Sequence, residues 1–455
     1  MKKTIYLLLL ILVQLPTSLC AEQISIQQCR EMALQHNKSR QSASLATQAA
    51  EFTRRATWAQ FFPSFSAVGF GLYDTGDGGL NIEGGMLPVG SMATGSFVPA
   101  GSYAYFPGLN IDYEVGAIYT GAVLLKQPLY MGGKIQAAYR MTKLGVEIRQ
   151  QQERLTEAEV LQQADEAYAK VVNARELQEV AEKYKALLEE LDRNVESAVR
   201  LGLKMENDRM KVQVKLSEVE LQMRRAQNGV RLATMNLCHV IGVPLHTDLQ
   251  VETEYPQVNE VEGILSNDVS MRPEFAMLEA KTQLADQQVR LARSEMLPRV
   301  ALLAKYGYTH GIEFNNRYLL EGWNFAGGVT VSIPLYHFGE RTNKVRAAKT
   351  QLLQTQTEQA DKTEMMMLEL AQAANKLDEA RLEVELSEKS LAEAETSMML
   401  SGKQYKAGVE TLSDYLESQA MWQRASESQV TAHFQLYLAS VDYLRAAGRL
   451  VSEQP

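Results

Sequence analysis

Residues with reactive or metal-binding side chains are scattered along this chain. The sequence has no HExxH zinc motif, no phosphate-binding loop, no nucleophile elbow and no CxxC pair. The thioethers of Met365-Met366-Met367 could bind a soft metal ion, but consecutive residues of a helix point in different directions. We therefore predict no enzyme activity, no metal site and no cofactor. The histidines, which are equally dispersed, are His36, His239, His246, His310, His337 and His433.

Carboxylates follow two glycines that lie 206 residues apart. Asp208 comes six residues after Gly202, Asp414 comes six residues after Gly408, and Glu417 lies one helical turn further on. Carboxylates that line a narrow pore attract cations. An acidic residue at a helix N-terminus also stabilises the helix itself, so both interpretations are open at this point.

The N-terminus has the pattern of an export signal. Lys2-Lys3 precede an apolar run over residues 5–13, which is too short to span a bilayer. We predict a signal peptide over residues 1–20 that is cleaved after Cys20. Acylation of Cys20, as in a lipoprotein, is the alternative. The two remaining cysteines, Cys29 and Cys238, could pair in an oxidising compartment, and the sequence does not decide whether they do.

The net charge argues against a nucleic-acid partner. The chain carries a formal charge of −9, and loss of Lys2 and Lys3 with the signal peptide takes it to −11. Proteins that bind nucleic acid need a basic surface.

The elements around these glycines occur twice. The segment QPLYMGG (127–133) returns as IPLYHFG (333–339), again 206 residues later. Phe62-Pro63 and Leu297-Pro298 are 235 residues apart, so the first half has a loop that is 29 residues longer. The extra residues belong to the Gly-rich tract 74–107, which we expect to be a flexible loop.

Two long helical runs follow the repeated segments. Residues 134–200 contain no proline and one glycine, and residues 343–406 contain one glycine near their end. At 1.5 Å per residue each run is about 100 Å long. Both end at a short Gly-bearing turn, after which residues 208–240 and 412–449 return. Each half of the sequence therefore predicts a long antiparallel helical hairpin. The helices have apolar stripes on two sides, and each stripe must be buried against a neighbour, which favours a closed ring of helices.

Short alternating runs precede each repeated segment and predict four strands, over 64–73, 115–127, 300–308 and 323–333. One side of each strand is aromatic or aliphatic and the other is small or polar. This pattern fits a membrane barrel with a wet lumen, and it also fits a half-buried soluble hairpin. Four strands cannot close a barrel of useful bore, so a membrane barrel requires several chains.

The ordered, duplicated set of motifs resembles the TolC family of outer membrane efflux proteins. It consists of Phe62-Pro63 and Leu297-Pro298, the PLYMGG and PLYHFG turns, and the Gly–Asp pairs at 202–208 and 408–414. The resemblance implies an α+β membrane protein that forms a homotrimer. Duplicated helical hairpins would build a trimeric periplasmic tunnel, and four strands per chain would contribute to a 12-stranded outer-membrane β-barrel.

The duplication divides the chain into segments. We expect two repeats, each with a helix, two strands and a long helical hairpin, and an equatorial connection between them. The segments are the signal peptide 1–20, the first repeat 21–240, the connection 241–271, the second repeat 272–450 and a short tail 451–455.

The two strand-to-helix turns are expected to share three roles. A proline stops the strand ladder, a tyrosine lies in the interfacial aromatic belt, and a glycine permits the turn into the helix. These residues are Pro128, Tyr130 and Gly133 in the first turn and Pro334, Tyr336 and Gly339 in the second.

By the same resemblance, Asp414 and Glu417 line a periplasmic constriction. Asp208 would bond across the tips to Tyr405 and to a basic residue. That basic position is Glu410 here, which departs from the family pattern and leaves the salt-bridge latch undecided. The hairpin tips would also contact a periplasmic adaptor. The residues expected there are Arg200, Leu201, Gly202, Lys406, Ala407 and Gly408.

The implied function is that of a passive duct in the outer membrane of a Gram-negative bacterium, in contact with outer membrane lipid. An adaptor and an inner-membrane pump, of the RND or ABC type, would open it. The alternative is a periplasmic coiled-coil adaptor or scaffold without a channel. The cargo and the energy source of the pump are not encoded in any motif that we recognise.

Overall fold

The computed structural model describes residues 23–93, 96–252, 255, 268–314 and 317–450. The predicted signal peptide with Cys20, the tail 451–455 and part of the connection 241–271 lie outside the described residues. The chain divides into two compact units. The helical unit consists of Met1–Glu51, Leu144–Gln283 and Leu353–Pro455, and the strand unit of Phe52–Lys143 and Leu284–Leu352.

Two pairs of helices form the predicted hairpins. Both long helices have 67 residues, because the second begins three residues earlier than its sequence pattern suggested. The helices are α1 (Ile26–His36), α2 (Lys38–Ala59), α3 (Lys134–Arg200), α4 (Glu206–Ile241), α5 (Pro273–Ser294), α6 (Glu340–Lys406) and α7 (Leu412–Ala446).

The two hairpins pack against each other inside the helical unit. Leu188 of α3, Val212 of α4 and Trp422 of α7 belong to one buried apolar cluster, which also includes Ala394 of α6. Leu188 and Val212 have no exposed surface. The apolar stripes of the sequence therefore find part of their burial within one chain.

One ion pair fixes α1 to α3 in the interior. The Nε and Nη2 atoms of Arg30 donate to the two carboxylate oxygens of Asp165, both at 2.8 Å. The Asp165 side chain is completely buried, whereas 29% of the Arg30 side chain is exposed. Burial raises the pKa of Asp165, and the two bonds from Arg30 act in the opposite direction. Removing one partner of such a buried ion pair is strongly destabilising, because the other charge is then left buried and unpaired.

Cys29 and Cys238 do not form a disulfide in the helical unit. Cys29 and Cys238 are both free thiols, and both are buried in the cluster that joins α1, α3 and α4. Burial raises the pKa of Cys29 to about 12, with a further contribution from the charge of Asp165. Cys29 therefore stays protonated at neutral pH and packs as a small apolar residue.

Glu176 on α3 predicts a pH-dependent stability. Burial, and then the charge of Glu179, raise its pKa from 4.5 to about 7. The folded state therefore binds the proton more tightly than the unfolded state, and stability falls as pH rises from 4.5 to 7. We expect Glu176→Gln to raise the free energy of unfolding at pH 8 by about 1 kcal/mol, allowing for partial exposure. At pH 5 the gain should be much smaller.

Denaturant titrations of the detergent-solubilised protein at both pH values measure this effect. Glu189→Gln, an exposed change on the same helix, is the control and should have no such pH dependence. An equal gain for Glu176→Gln at pH 5 and pH 8 would show that the buried charge is not its cause.

The strand unit contains the predicted four-stranded antiparallel sheet, in the order β1-β4-β5-β6. β1 and β4 come from the first repeat, and β5 and β6 from the second. A second sheet consists of β2 and β3 alone. The strands are β1 (Ser64–Ile82), β2 (Gly85–Ala93), β3 (Ser96–Phe106), β4 (Leu109–Tyr130), β5 (Arg299–Phe314) and β6 (Arg317–Ser332).

The prediction of a flexible loop over 74–107 was wrong. After an irregularity between Asp74 and Asp77, β1 and β4 continue to pair as far as Ile82 and Leu109. β2 and β3 then form a hairpin of their own. Glycine content suggested a loop, but apolar residues alternate with small ones through the tract, and extended backbone accommodates glycine when a partner strand is present.

The predicted role of Pro128 as the end of the strand ladder was also wrong. Pro128 pairs with Ala301, and β4 continues to Tyr130. The last pair between β1 and β4 is Ser64 with Lys126. Pro128 thus lies where β4 has only β5 beside it, and a residue without an N–H is tolerated there. Pro334 follows the end of β6 at Ser332, as expected.

Candidate gate at the helical tips

Both hairpins turn at a glycine with a left-handed backbone. Gly202 has φ 69° and Gly408 has φ 76°, a conformation that costs other residues about 1–2 kcal/mol. Leu201 and Val409 beside them expose 74% and 79% of their surface. The tips therefore present apolar side chains to the surroundings. All the residues predicted to contact an adaptor are exposed: Arg200, Leu201, Gly202, Lys406, Ala407 and Gly408.

Asp414 takes part in a capping box at the start of α7. Its Oδ2 accepts from the hydroxyl of Thr411 at 2.7 Å and from the Thr411 N–H at 3.3 Å. The Asp414 N–H in turn donates to Thr411 Oγ1 at 3.3 Å. Asp414 and Glu417 are both exposed, one helical turn apart. The geometry thus gives Asp414 a local role in starting the helix and leaves its charge accessible to solvent.

Tyr405 lies between the two hairpins. Its ring stacks on Tyr415 with 5.4 Å between centroids, and Lys204 Nζ of the other hairpin lies 4.9 Å from the centre of the ring. Burial raises the pKa of the Tyr405 phenol, and the negative charge of Asp208 adds to this effect. The structure shows this charge effect of Asp208 but no hydrogen bond from it to Tyr405, and the lysine near Tyr405 comes from the first hairpin.

Asp208 finds its basic partner on its own helix. Lys211 Nζ lies 3.7 Å from Asp208 Oδ1 and 3.5 Å from the hydroxyl oxygen of Ser413 on the second hairpin. Lys211 therefore bridges the two tips. At Glu410, where the family pattern has a basic residue, one carboxylate oxygen is shielded from solvent and has no hydrogen-bond partner in the described part of the chain.

Sequence reasoning missed Lys204, Lys211 and Tyr415. The capping box was visible, because Thr411 precedes Asp414 by three residues. Nothing in the sequence identifies which lysine of one hairpin faces the other, since that contact depends on how the hairpins pack. Within the described ranges, no group of three or more His, Cys, Asp or Glu residues is arranged to hold a metal ion.

The first strand-to-helix turn depends on Gly132 as well as Gly133. Their φ angles are 63° and 82°, and in the second turn Phe338 and Gly339 have 43° and 83°. A Cβ at Gly132 would lie 2.7 Å from the Ser294 carbonyl oxygen. No atom lies within 4 Å of a Cβ at Gly133. Gly132 is thus required for close approach as well as for its backbone angle. Tyr130 and Tyr336 are exposed beside these turns.

This difference predicts unequal effects of two adjacent alanine substitutions. Gly132→Ala should lower the free energy of unfolding by about 3 kcal/mol, because it combines backbone strain with a steric clash. Gly133→Ala has the strain alone and should cost about 1 kcal/mol. Denaturant titration of both variants in detergent measures the difference. Equal losses would contradict the close contact at Gly132.

The second half of the chain matches a known protein family. The family model described as "Outer membrane efflux protein" matches residues 265–449. Over these residues the chain is similar to the TolC family of outer membrane efflux proteins. Its place is therefore the outer membrane of a Gram-negative bacterium.

Two sequence relatives and one solved structure show how far the likeness extends. The pyoverdine export outer membrane protein OpmQ of Pseudomonas aeruginosa is 24% identical over 76% of this chain and 70% of its own length. The alkaline protease secretion protein AprF of the same organism is 24% identical over 74% of this chain and 69% of its length. The crystal structure of the Campylobacter jejuni CmeC outer membrane channel superposes with a TM-score of 0.73 at 18% identity, covering 93% of this chain and 85% of that one.

Among the described residues, no helix combines the length and the apolar character needed to cross a bilayer.

Proposed function

We propose that three copies of this chain form the outer membrane duct of a tripartite export system. The duct has no catalytic activity, and a periplasmic adaptor with an inner-membrane pump of the RND or ABC type opens it. Export and secretion by the relatives OpmQ and AprF support this proposal, as does their shared outer membrane family.

The observation that carries the proposal is the open sheet of the strand unit. Among the described residues, β1 pairs only with β4, and β6 pairs only with β5. Unpaired N–H and C=O groups along both edges are not tolerated in lipid. Four strands cannot close upon themselves. Joining the β6 edge of one copy to the β1 edge of the next leaves no free edge, and three copies give 12 strands.

The two faces of the sheet differ as a lipid face and a lumen face should. Tyr306 pairs with Phe325, and Trp323 lies 5.3 Å from Tyr306 between ring centroids, so that these exposed aromatic rings share one face. The opposite face carries Lys305 and Asn324. Apolar residues outward and polar residues inward are typical of membrane barrels with a wet lumen.

Exposed apolar side chains on α4 and α6 support the same assembly. In a single chain these residues contact solvent, which is unusual for so many large side chains along two helices. Burial against neighbouring copies would remove them from water. They are Met210, Val214, Leu221 and Leu232 on α4, and Leu353, Met365, Met367, Leu368, Leu382, Leu386, Met399 and Leu400 on α6.

A conductance measurement tests the proposal. Protein extracted from membranes in mild detergent should have three times the mass of the mature chain in light scattering. The same preparation should produce discrete ion-conducting steps in planar bilayers. A monomeric protein that is released without detergent and never conducts would overturn the proposal, and it would favour the alternative of a periplasmic scaffold without a channel.

For the tips, we propose that Asp414 and Glu417 form the gate. Three-fold symmetry would bring three copies of each carboxylate around one axis, where they would attract cations. Tyr405, Lys204, Asp208 and Lys211 would hold the two hairpins of each chain together in the closed state. Their contacts, described above, support this assignment.

The exposed tips are the surface we assign to the adaptor. Leu201 and Val409 offer apolar contacts, and the neighbouring Arg200 and Lys406 offer positive charge. The cargo stays open, because the chain is equally identical to relatives named for pyoverdine export and for protease secretion. A duct that takes its selectivity from the pump is consistent with both.

A further inference from the structure

The β2–β3 hairpin is an addition to the four-stranded sheet that the proposed duct does not use. Its 22 residues, 85–106, contain no charged side chain, whereas 22% of the whole chain is charged. The second repeat has no counterpart, since β5 and β6 are separated by residues 315–316 alone. The hairpin thus extends from the ends of β1 and β4 that are opposite to their connections with α2 and α3.

One face of this hairpin is a continuous apolar surface. Met86 pairs with Tyr105, Pro88 with Tyr103, and Met92 with Phe97, so these side chains share a face. Most of them are strongly exposed, with 61% for Met86, 63% for Tyr103, 68% for Tyr105 and 75% for Met92. A two-stranded hairpin in water is marginally stable by itself. This face therefore needs a partner.

Backbone contact at the base allows the hairpin to bend away from the main sheet. The last pair of the sheet is Ile82 with Leu109, and the first pair of the hairpin is Gly85 with Phe106. Gly108 has φ 74°, and a Cβ there would lie 2.8 Å from the Ile82 carbonyl oxygen. The backbone segments on either side of this junction approach each other closely, and the pairing is interrupted between them.

We propose that the Met86–Tyr103–Tyr105 faces of three hairpins pack against one another and cover the outer mouth of the duct. The proposal rests on the trimeric duct described above. A 12-stranded barrel has a radius of about 12 Å from its strand spacing and tilt. The hairpin strands are about 30 Å long, so a hairpin bent inward reaches the three-fold axis.

The absence of charge favours copies of this chain over lipid as the partner. Around a three-fold axis each side chain meets its own copies, so any charged residue on this face would meet a like charge. A segment that lies on an anionic lipid surface usually carries lysine or arginine, which this hairpin lacks. Pro88 and Pro99 lack an N–H and oppose addition of further strands at the edges. Contact through the faces is the arrangement that remains.

Adjacent residues on opposite faces allow a matched test. Tyr103 lies on the apolar face, and Ser102, paired with Val89, lies on the other. In purified trimers under mild oxidation, Tyr103→Cys should give a disulfide-linked dimer band, and Ser102→Cys should give at least about fivefold less. A membrane-impermeant maleimide applied to whole cells should label Ser102→Cys faster than Tyr103→Cys. The buried Cys29 and Cys238 of the parent chain provide the background.

A deletion gives the functional measurement. Replacing residues 85–106 by a short Gly-Ser turn should leave the trimer intact and raise the single-channel conductance. Equal cross-linking and equal labelling of the two cysteine variants would overturn the cap. So would slow labelling of Tyr103→Cys without cross-linking, which indicates lipid contact. Failure of the parent protein to form trimers or to conduct would instead contradict the proposed duct.

Discussion

Arg30→Met is expected to lower the free energy of unfolding by about 3–5 kcal/mol. The substitution leaves the carboxylate of Asp165 fully buried with its two hydrogen bonds lost. Methionine fills a similar volume, so lost packing contributes little, and the unpaired charge accounts for the loss. Denaturant titration of the detergent-solubilised protein measures it.

A second pair between the N-terminal helices and α3 provides the control. Arg40 Nε donates to Glu157 at 3.0 Å, and the two side chains are 37% and 23% exposed. Arg40→Met should cost about 1 kcal/mol or less, because solvent replaces the lost partner. Similar losses in the two variants would show that burial of Asp165 does not determine the strength of the Arg30 pair. Arg30→Met with Asp165→Leu should recover much of the loss, since no charge then remains buried.

The long helices could be predicted because their signal is repeated many times. Sixty-seven residues without proline, with apolar positions at three- and four-residue spacing, leave little alternative to a helix, and α3 has the predicted bounds. The duplication then fixed the order of the remaining elements. The strands of the four-stranded sheet could be placed for the same reason. Phe62-Pro63 marks the start of β1 in the first repeat, and Leu297-Pro298 marks the start of β5 in the second.

The residues that depend on packing could not be predicted. Gly132 was overlooked because its counterpart, Phe338, is not a glycine, and only the structure shows the nearby Ser294 carbonyl. For residues 85–106 the glycine content predicts a loop, because the apolar alternation that indicates strands is weak there. Lys204 and Lys211 face the second hairpin through geometry that neither repeat encodes locally. For Gly132 and the two lysines, the missing information is a contact between distant segments.

Neutralising the proposed gate should have the largest effect on function. The combined variant Asp414→Asn and Glu417→Gln is expected to weaken block of the conductance by a trivalent cation at least about tenfold. A trivalent ion 6 Å from a carboxylate gains about 2 kcal/mol in water, and salt reduces this value. Loss of six such charges from one constriction exceeds the 1.4 kcal/mol that a tenfold change requires. The preference for potassium over chloride should fall as well.

The choice of asparagine separates the gate from the helix cap. An asparagine oxygen at position 414 can still accept from the Thr411 N–H, so the capping box largely survives and only the charge is removed. Asp414→Ala removes both, and it should also lower stability by about 1 kcal/mol. Asp361→Asn with Glu364→Gln, an exposed pair of the same spacing on α6, matches the change in charge far from the tips. If that control weakens the block as much as the gate variant does, the carboxylates at the tips do not form the constriction. If the gate variant alone does so, charge at Asp414 and Glu417 controls cation entry independently of the helix start.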